Sequence, residues 1–208
     1  NTKESSILYA KAQARIGEVL YKLKKPEDAL KRFDSVRAYI ADKKNVTTDP
    51  NRRANRLQAR AICDYFASRC YKDQTKWDLV VETLENYETI YADESVRNFH
   101  AAVKFERLRA LLKLSKLTDA ESETQKLATD WPDAPQLPLA YNMLSAEFGK
   151  AARAAKDGGD EATWKVLLPK AAQYFKAYMG ARAKKEVSWQ EAQLLGFWYF
   201  HLGDLAGA

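Results

Sequence analysis

The chain has 208 residues, of which 46% are hydrophobic and 12% aromatic, and it carries a formal net charge of +6. A chain of this length and apolar content can bury a substantial core, which excludes an intrinsically disordered protein. Because only 8 Gly and 6 Pro accompany many Ala, Leu, Lys and Glu residues, the composition favours helices over sheets. Every apolar run is shorter than the roughly 18–20 residues that a membrane-spanning helix needs.

The positive charge is concentrated near the start of the chain. Residues 1–60 contain 15 Lys and Arg against 7 Asp and Glu, and such a segment can attract nucleic acid or an anionic membrane surface. However, Lys31 and Arg32 alternate with Asp28 and Asp34, whereas a phosphate-binding stripe would present cations without acidic neighbours. We therefore interpret the segment as a solvated helical surface and expect no nucleic-acid partner.

The first hairpin is predicted from two helical patterns separated by a proline. Apolar residues recur at steps of three and four through the first 23 residues, and Ser5 and Ser6 are suited to cap that helix. Pro26 then restarts a second helix, because proline is tolerated in a first turn and the acidic residues after it suit the positive end of the helix dipole. The two helices and their tight turn form a helical hairpin.

The same pattern recurs along the chain. Helices are predicted in pairs over 53–72 with 75–92, 95–115 with 118–130 and 137–156 with 161–181, and a ninth covers 188–202. No alternation of apolar and polar residues is long enough to predict a strand. The sequence therefore predicts an all-α fold in a single domain over 1–208, with about four and a half hairpins: 5–44, 53–92, 95–130, 137–181 and 188–208.

The two cysteines are predicted to be structural. Cys63 and Cys70 are two turns apart on one predicted helix, which places their Cα atoms roughly 10 Å apart. This separation is too long for a disulfide. We therefore expect both side chains to act as small buried hydrophobic groups.

Small and bulky residues recur at regular offsets in the hairpins. The first has Ile16, Gly17, Leu20, Ala29, Phe33 and Val36 at positions 7, 8, 11, 20, 24 and 27, and the last has Leu195, Gly196, Tyr199, Gly203 and Ala208 at positions 7, 8, 11, 15 and 20. This pattern resembles the tetratricopeptide repeat (TPR) family, in which small residues at positions 8 and 20 let paired helices approach and a bulky residue at 24 fills the gap to the next pair. The resemblance implies a right-handed α-solenoid.

The middle hairpins match the family less closely. Leu108 is large for position 8, Thr124 is unsuited to position 24, and the fourth hairpin fits only if it carries an insertion. Successive position-20 residues are separated by 51, 40, 51 and 37 residues, against 34 in the standard repeat. The predicted repeats are therefore irregular and of a bacterial type, and a generic α-solenoid is the alternative.

Two further features concern the surroundings of the chain. Ala208 falls at position 20, just inside a second helix that should follow, so we expect the C-terminal face to continue into further repeats or another domain. The proline-rich segment 130–141 resembles a junction in bacterial cell-envelope repeat proteins. That resemblance favours the periplasm or cell envelope, with the cytoplasm as the alternative.

The residues that carry most enzyme chemistry are sparse. The two histidines, His100 and His201, fall on different predicted hairpins, and no Cys/His spacing is typical of zinc. Neither a Gly-rich phosphate loop nor a nucleophile elbow occurs. We therefore predict that the protein is not an enzyme and has no catalytic residues, metal or cofactor.

The resemblance also implies a binding groove, lined by positions 2, 5, 9 and 12 of the first helix in each hairpin. Nine of the residues at these positions are predicted to bind a partner: Tyr21, Tyr65, Arg69, Lys72, Phe105, Arg109, Asn142, Gln193 and Phe197. Aromatic residues and arginine are typical of interaction hot spots, although Tyr65 and Phe105 would equally suit packing between neighbouring helices. The chaperone-binding members of the family hold a peptide carboxylate with Lys at position 5 and Asn at position 9, and no hairpin here has that pair.

The predicted function is a non-catalytic protein–protein interaction scaffold that binds a partner peptide or helix in the concave groove. The alternative is a structural or oligomerising segment of a larger assembly, in contact through its C-terminal repeat. Since surface residues alone carry either function, the sequence does not identify the partner.

Overall fold

The fold is all-α, as predicted. The computed structural model describes residues 2–42, 48–92, 99–182 and 188–206, and the regular elements in those ranges are helices. In chain order they are α1 (Thr2–Lys22), α2 (Pro26–Ala41), α3 (Pro50–Asp73), α4 (Trp77–Leu84), α5 (Tyr87–Ile90), α6 (His100–Lys113), α7 (Leu117–Asp130), α8 (Leu137–Asp157), α9 (Glu161–Ala181) and α10 (Trp189–Ala206). No helix in these ranges is both long enough and apolar enough to cross a membrane.

The chain divides into two compact units, unit 1 over Asn1–Leu114 and unit 2 over Ser115–Ala208. The division falls inside the third predicted hairpin, and the prediction of one continuous domain stays a prediction. In unit 1, α3 packs against α1, α2, α4 and α6, so it forms the centre of that unit. In unit 2, α8 and α9 pair along their length, while α7 packs on α8 and α10 packs on α9.

Small residues admit aromatic rings at two places in these units. In unit 1, the fully buried ring of Phe33 on α2 lies directly over Gly17 on α1, where a Cβ atom would overlap it. In unit 2, the buried indole of Trp198 on α10 occupies the same kind of space over Gly149 on α8. Close-packed interiors leave no slack for an added carbon at such a contact.

The residues at predicted positions 20 and 24 are buried in each of the first four hairpins. At most 1% of their surface is exposed, and they are Ala29, Val80, Ala120 and Ala171 at position 20 and Phe33, Leu84, Thr124 and Phe175 at position 24. The repeat pattern predicts that threonine is unsuited to position 24, yet the hydroxyl of Thr124 donates to the carbonyl of Ala120 at 3.0 Å. Because that bond satisfies the polar atom, threonine is accommodated in the interior.

Four helix–helix turns share one backbone conformation. Each contains a residue with positive φ, namely Lys24 (62°), Thr75 (59°), Ser115 (58°) and Gly159 (74°). The residue that follows has ψ between 66° and 78° and is the N-cap of the next helix. The sequence offered little sign of this similarity, because three of the four turns place a side chain where glycine is favoured.

The fourth predicted hairpin consists of two long helices, and the insertion expected there stays a prediction. Both of its helices, α8 and α9, have 21 residues, whereas α6 and α7 have 14. The hydroxyl of buried Ser145, at position 8, donates to the carbonyl of Ala171, at position 20, at 2.8 Å. The small residues therefore bring the helices together despite their length.

Some predicted boundaries are wrong. The helix predicted over 75–92 is interrupted, because Asn86 leaves the helical region (φ −110°, ψ 22°) between α4 and α5. Asparagine hydrogen-bonds readily to nearby backbone and so favours such breaks. The first helix already begins at Thr2, so Ser5 and Ser6 lie within it.

The last helix is also longer than predicted. It extends through Gly203 to Ala206, whereas the predicted helix ends at residue 202. One glycine inside a helix costs only about 1 kcal/mol, and its neighbours Leu202 and Leu205 are good helix formers. The predictions for Leu195 and Tyr199 concern side chains that lie outside the described part of the chain. The prediction for position 208 also lies outside it.

Both cysteines are free and buried, which confirms the prediction made for them. Burial raises the pKa of each thiol, at Cys63 and at Cys70, to about 12. The thiolate is the reactive form of cysteine. Neither side chain is therefore a nucleophile at neutral pH.

Candidate functional site

Three helices of unit 1 bring together six of the nine predicted groove residues. Tyr21 lies near the end of α1, Tyr65, Arg69 and Lys72 follow one face of α3, and Phe105 and Arg109 are one turn apart on α6. Spacings of three and four place side chains on the same face of a helix. With Glu106 of α6, these residues form what we call the basic–aromatic cluster.

Arg69 connects the first two helices of the cluster. Its Nε donates to the hydroxyl of Tyr21 at 3.2 Å, and its Nη1 donates to the hydroxyl of Tyr65 at 3.0 Å. The guanidinium carbon also lies 5.6 Å and 5.8 Å from the centres of the two rings, within the range of a cation–π contact. Arg69 is thereby held in one orientation with about a third of its side chain exposed.

Glu106 is the anion of the cluster and faces three cations. Lys72 Nζ donates to its Oε1 at 3.2 Å, while Nη1 of Arg69 and Nη1 of Arg109 each lie 3.7 Å from one of its oxygens. Only 7% of the Glu106 side chain is exposed. A buried carboxylate needs such compensation, because taking an unpaired charge out of water is costly.

Arg109 is the least constrained cation of the cluster. Its guanidinium lies over the ring of Phe105, 5.8 Å from the centre, and 37% of its side chain is exposed. Within the described residues it makes no hydrogen bond, since its contact with Glu106 at 3.7 Å is too long for one. Oε2 of Glu106 likewise has no hydrogen-bond partner in this part of the chain.

An aromatic layer supports the cluster from below. The ring of Phe66 lies 5.7 Å from Tyr21 and 5.1 Å from Tyr65, and Phe99 lies 5.6 Å from Tyr65. Aromatic pairs at these separations favour tilted and edge-on arrangements such as these. Tyr65 therefore packs between helices and still presents its hydroxyl to Arg69, so the two roles considered for it are combined.

The surroundings raise the pKa of two groups in the cluster, Tyr21 and Arg69. Burial raises the pKa of Tyr21, so its phenol stays protonated. Burial alone would lower the pKa of Arg69, but the phenolic oxygens of Tyr21 and Tyr65 outweigh it and raise that pKa. The cluster thus holds three cations, on Arg69, Lys72 and Arg109, against the single carboxylate of Glu106.

The three remaining predicted groove residues belong to unit 2. Asn142 is half-buried on α8, Gln193 is exposed on α10, and Phe197 is half-buried on α10. The guanidinium carbon of Arg153 lies 5.9 Å from the centre of the Phe197 ring. None of these three residues is charged, so the predicted groove residues of unit 2 do not by themselves form a counterpart of the basic–aromatic cluster.

Comparisons of the chain with protein-family models, with curated proteins and with solved structures find no match.

Other polar groups in the interior of unit 1 have structural partners. Asp64 accepts a hydrogen bond from Arg37 Nε at 2.8 Å and another from the hydroxyl of Tyr91, while Nε2 of His100 lies 2.9 Å from the carbonyl oxygen of Tyr91. Burial raises the pKa of Tyr91, which keeps its phenol protonated. In the described ranges, no group of three or more His, Cys, Asp and Glu residues is arranged to hold a metal ion.

Glu106 is the residue of the cluster that sequence reasoning missed. Glutamate on a helix is usually solvated, and no groove position of the repeat pattern includes residue 106. The available signal was the spacing of Glu106 and Arg109, three residues apart on one predicted helix, which favours an ion pair. The cations from α3 could not have been assigned to it without the packing of α3 on α6.

Proposed function

We propose that the protein is a non-catalytic scaffold that binds a peptide or helix of a partner protein through the basic–aromatic cluster. The observation that carries this proposal is the convergence of exposed guanidinium groups and tyrosines from α1, α3 and α6. Arginine and aromatic residues contribute most to binding energy at protein interfaces.

We further propose that the chain is built as a right-handed α-solenoid of TPR-like repeats. Two observations support it: the common conformation of the four turns and the burial of positions 20 and 24 in four hairpins. In such an array the first helices of successive hairpins line a concave surface. In unit 1 these helices are α1, α3 and α6, which carry the cluster.

The proposal is tested by selecting peptides from a displayed random library against the purified protein. We expect the enriched peptides to bind at least about tenfold more weakly to a double variant, Arg69→Ala/Arg109→Ala, because both exposed guanidinium groups are lost. The matched control is Lys25→Ala/Lys31→Ala, which removes the same charge from exposed sites of unit 1. Circular dichroism verifies that each variant is folded.

Full affinity of the enriched peptides for the arginine double variant would refute the assignment of the groove. A selection that enriches no peptide on the native protein would refute the binding function itself. These two failures are distinct, because the first leaves a binding protein whose site lies elsewhere.

A second candidate function is assembly through α10. Trp189 and Phe200 on this helix have 73% and 67% of their surface exposed, and exposed aromatic residues favour a contact surface. Light scattering over a range of concentrations tests it directly. A mass that increases with concentration, and that returns to the monomer value in Trp189→Ser/Phe200→Ser, would support self-association, whereas a constant monomer mass would exclude it.

A further inference from the structure

We propose that the partner segment bound by the basic–aromatic cluster is acidic, and that its carboxylates bind between Arg69 and Arg109 above the internal anion Glu106. This inference rests on the proposed binding function and specifies the chemistry of the ligand. Its basis is the imbalance of charge and the unused hydrogen-bond donors in the cluster.

The charge of the surrounding groups favours an anion. Three cations, Arg69, Lys72 and Arg109, face Glu106, and Asp73 is the further acidic group that acts on Tyr21. The cluster therefore keeps a net positive charge after both carboxylates are counted. Charge complementarity of this kind accelerates association and discriminates against partners of the wrong sign.

Glu18 on α1 does not reverse this balance. Its carboxylate, which is only 12% exposed, accepts from Arg15 at 2.5 Å and from Lys22 at 2.7 Å. Burial would raise the pKa of Glu18, but these two cations outweigh burial and lower it. The group is thus a neutralised anion with one cation in excess.

The donors of the two arginines are available to a ligand. Lys72 makes the only hydrogen bond to Glu106 found in the described residues, at 3.2 Å, whereas the arginine contacts at 3.7 Å exceed hydrogen-bond distance. A guanidinium presents its donors in a planar fork that matches a carboxylate. Arg69 and Arg109 are therefore able to donate hydrogen bonds to carboxylates of a ligand without breaking an existing hydrogen bond to Glu106.

The arginines are also supported in place before a ligand arrives. Arg69 is held by the hydroxyls of Tyr21 and Tyr65, and Arg109 rests on the ring of Phe105. Binding then immobilises few additional side-chain torsions, which lowers its entropic cost. A basic ligand lacks this advantage, because the anion between the two arginines, Glu106, is 93% covered and already bonded to Lys72.

Substitution of Glu106 should change the affinity for an acidic peptide in the opposite direction to substitution of the arginines. In the free protein this carboxylate stabilises the three cations, but it repels an incoming carboxylate. The isosteric change Glu106→Gln should therefore strengthen the binding of an acidic peptide by about threefold or more. Loss of Arg69 and Arg109 in the variant Arg69→Gln/Arg109→Gln should weaken it by about tenfold or more.

The experiment measures fluorescence anisotropy of two labelled 12-residue peptides, one alternating Glu with Leu and the other alternating Gln with Leu. We expect the Glu peptide to bind at least about tenfold more tightly, and this preference to decrease between about 50 mM and about 500 mM NaCl as the charges are screened. Lys25→Gln/Lys31→Gln controls for net charge. Thermal unfolding followed by circular dichroism verifies that Glu106→Gln is folded, and the exposed single variant Arg109→Gln gives an independent test.

Equal affinity for both peptides, or no binding of the Glu peptide, would overturn the inference. So would an unchanged Glu-peptide affinity in Arg109→Gln and in the double arginine variant. The scaffold itself has a separate test in the peptide selection: neutral or basic peptides that require Arg69 and Arg109 would preserve the proposed function and remove only its acidic ligand.

Discussion

Two glycines that the repeat pattern assigns to the same position have different surroundings. At Gly17 in unit 1, the ring of Phe33 occupies the space that a side chain would need, and its Cδ1 would lie 2.8 Å from a Cβ atom there. At Gly196 in unit 2, apart from the adjacent residues and the local helix backbone, no atom of the described residues lies within 4 Å of the corresponding Cβ. Equivalent positions in the sequence are thus filled in one hairpin and open in the other.

Whether a glycine on a helix is required for packing therefore depends on the side chain that the neighbouring helix places over it. Gly149 resembles Gly17, because the indole of Trp198 lies over it, with Cζ2 at 2.8 Å from an added Cβ. Where a ring is present, the glycine is required by packing. Where none is present, the glycine only costs helix stability, by about 1 kcal/mol relative to alanine.

The largest effect is expected when the ring of the filled hairpin is removed. Phe33→Ala should lower the free energy of unfolding by about 3–5 kcal/mol, because it deletes a fully buried aromatic side chain and leaves a cavity over Gly17. Chemical denaturation monitored by circular dichroism measures the change. A loss below about 1 kcal/mol would show that the ring does not fill this space.

The next largest effect on stability is expected when a methyl group is added at a glycine that lies under an aromatic ring. Gly17→Ala and Gly149→Ala should each lower the free energy of unfolding by about 1–3 kcal/mol, since overpacking exceeds the gain in helix propensity. Replacing the ring by a smaller group supplies a control. In Gly17→Ala/Phe33→Leu the cost should be less than the sum of the two single changes, measured as a double-mutant cycle.

Gly196→Ala is the matched change at the open position. We expect it to raise the free energy of unfolding by about 0.5–1 kcal/mol, because alanine favours the helix and meets no described atom. Gly180 on α9 has the same open surroundings within the described residues, so Gly180→Ala should have a similar effect. A loss of stability at Gly196 comparable to that at Gly17 would remove the distinction between the two positions.

The turn of the second hairpin provides a change of similar size. Thr75 is a β-branched residue with φ of 59°, a conformation that favours glycine. Thr75→Gly should therefore raise the free energy of unfolding by up to about 1 kcal/mol, by relieving backbone strain. The same denaturation experiment on Gly159→Ala, where glycine already adopts φ of 74°, should give the opposite sign.

The smallest predicted effect is local and depends on pH. Glu191 on α10 accepts hydrogen bonds from Arg182, from the hydroxyl of Tyr178 at 2.9 Å and from the backbone N–H of Ser188 at 2.8 Å, which together lower its pKa to about 2. Because the folded pKa is lower than the ordinary value of 4.5, the stabilisation is present above that value and is lost as the pH falls through about 2. The protection factors of amides at the start of α10, which compare their exchange with that of unstructured amides at the same pH, should fall over this interval, and Glu191→Gln should remove the dependence.

The sequence predicted the parts of the fold that depend on periodicity. The helices follow from apolar spacing, because a helix must bury its apolar face. The burial of positions 20 and 24 agrees with what the resemblance to the repeat family implied. The interruption at Asn86 was missed because the apolar spacing continues through it, although asparagine favours such breaks. The positive φ at Thr75 was not predictable, since it opposes the intrinsic preference of a β-branched residue.

The candidate site was predicted in part. Tyr21, Tyr65, Arg69 and Arg109 were assigned from repeat positions, and the structure places them together. Their common anion was missed, because Glu106 forms ion pairs with Lys72 and Arg69, which lie on another helix. Contacts between helices of this kind are set by tertiary packing, and no spacing within one helix encodes them.

The central claim is that the face formed by α1, α3 and α6 binds a partner segment, and hydrogen–deuterium exchange with a selected peptide tests it most directly. We expect the peptide to slow exchange around Tyr21, from Tyr65 to Lys72, and from Phe105 to Arg109. Arg69→Ala/Arg109→Ala should abolish this protection. Protection confined to α2, α4 or α10, with these three segments unchanged, would contradict it.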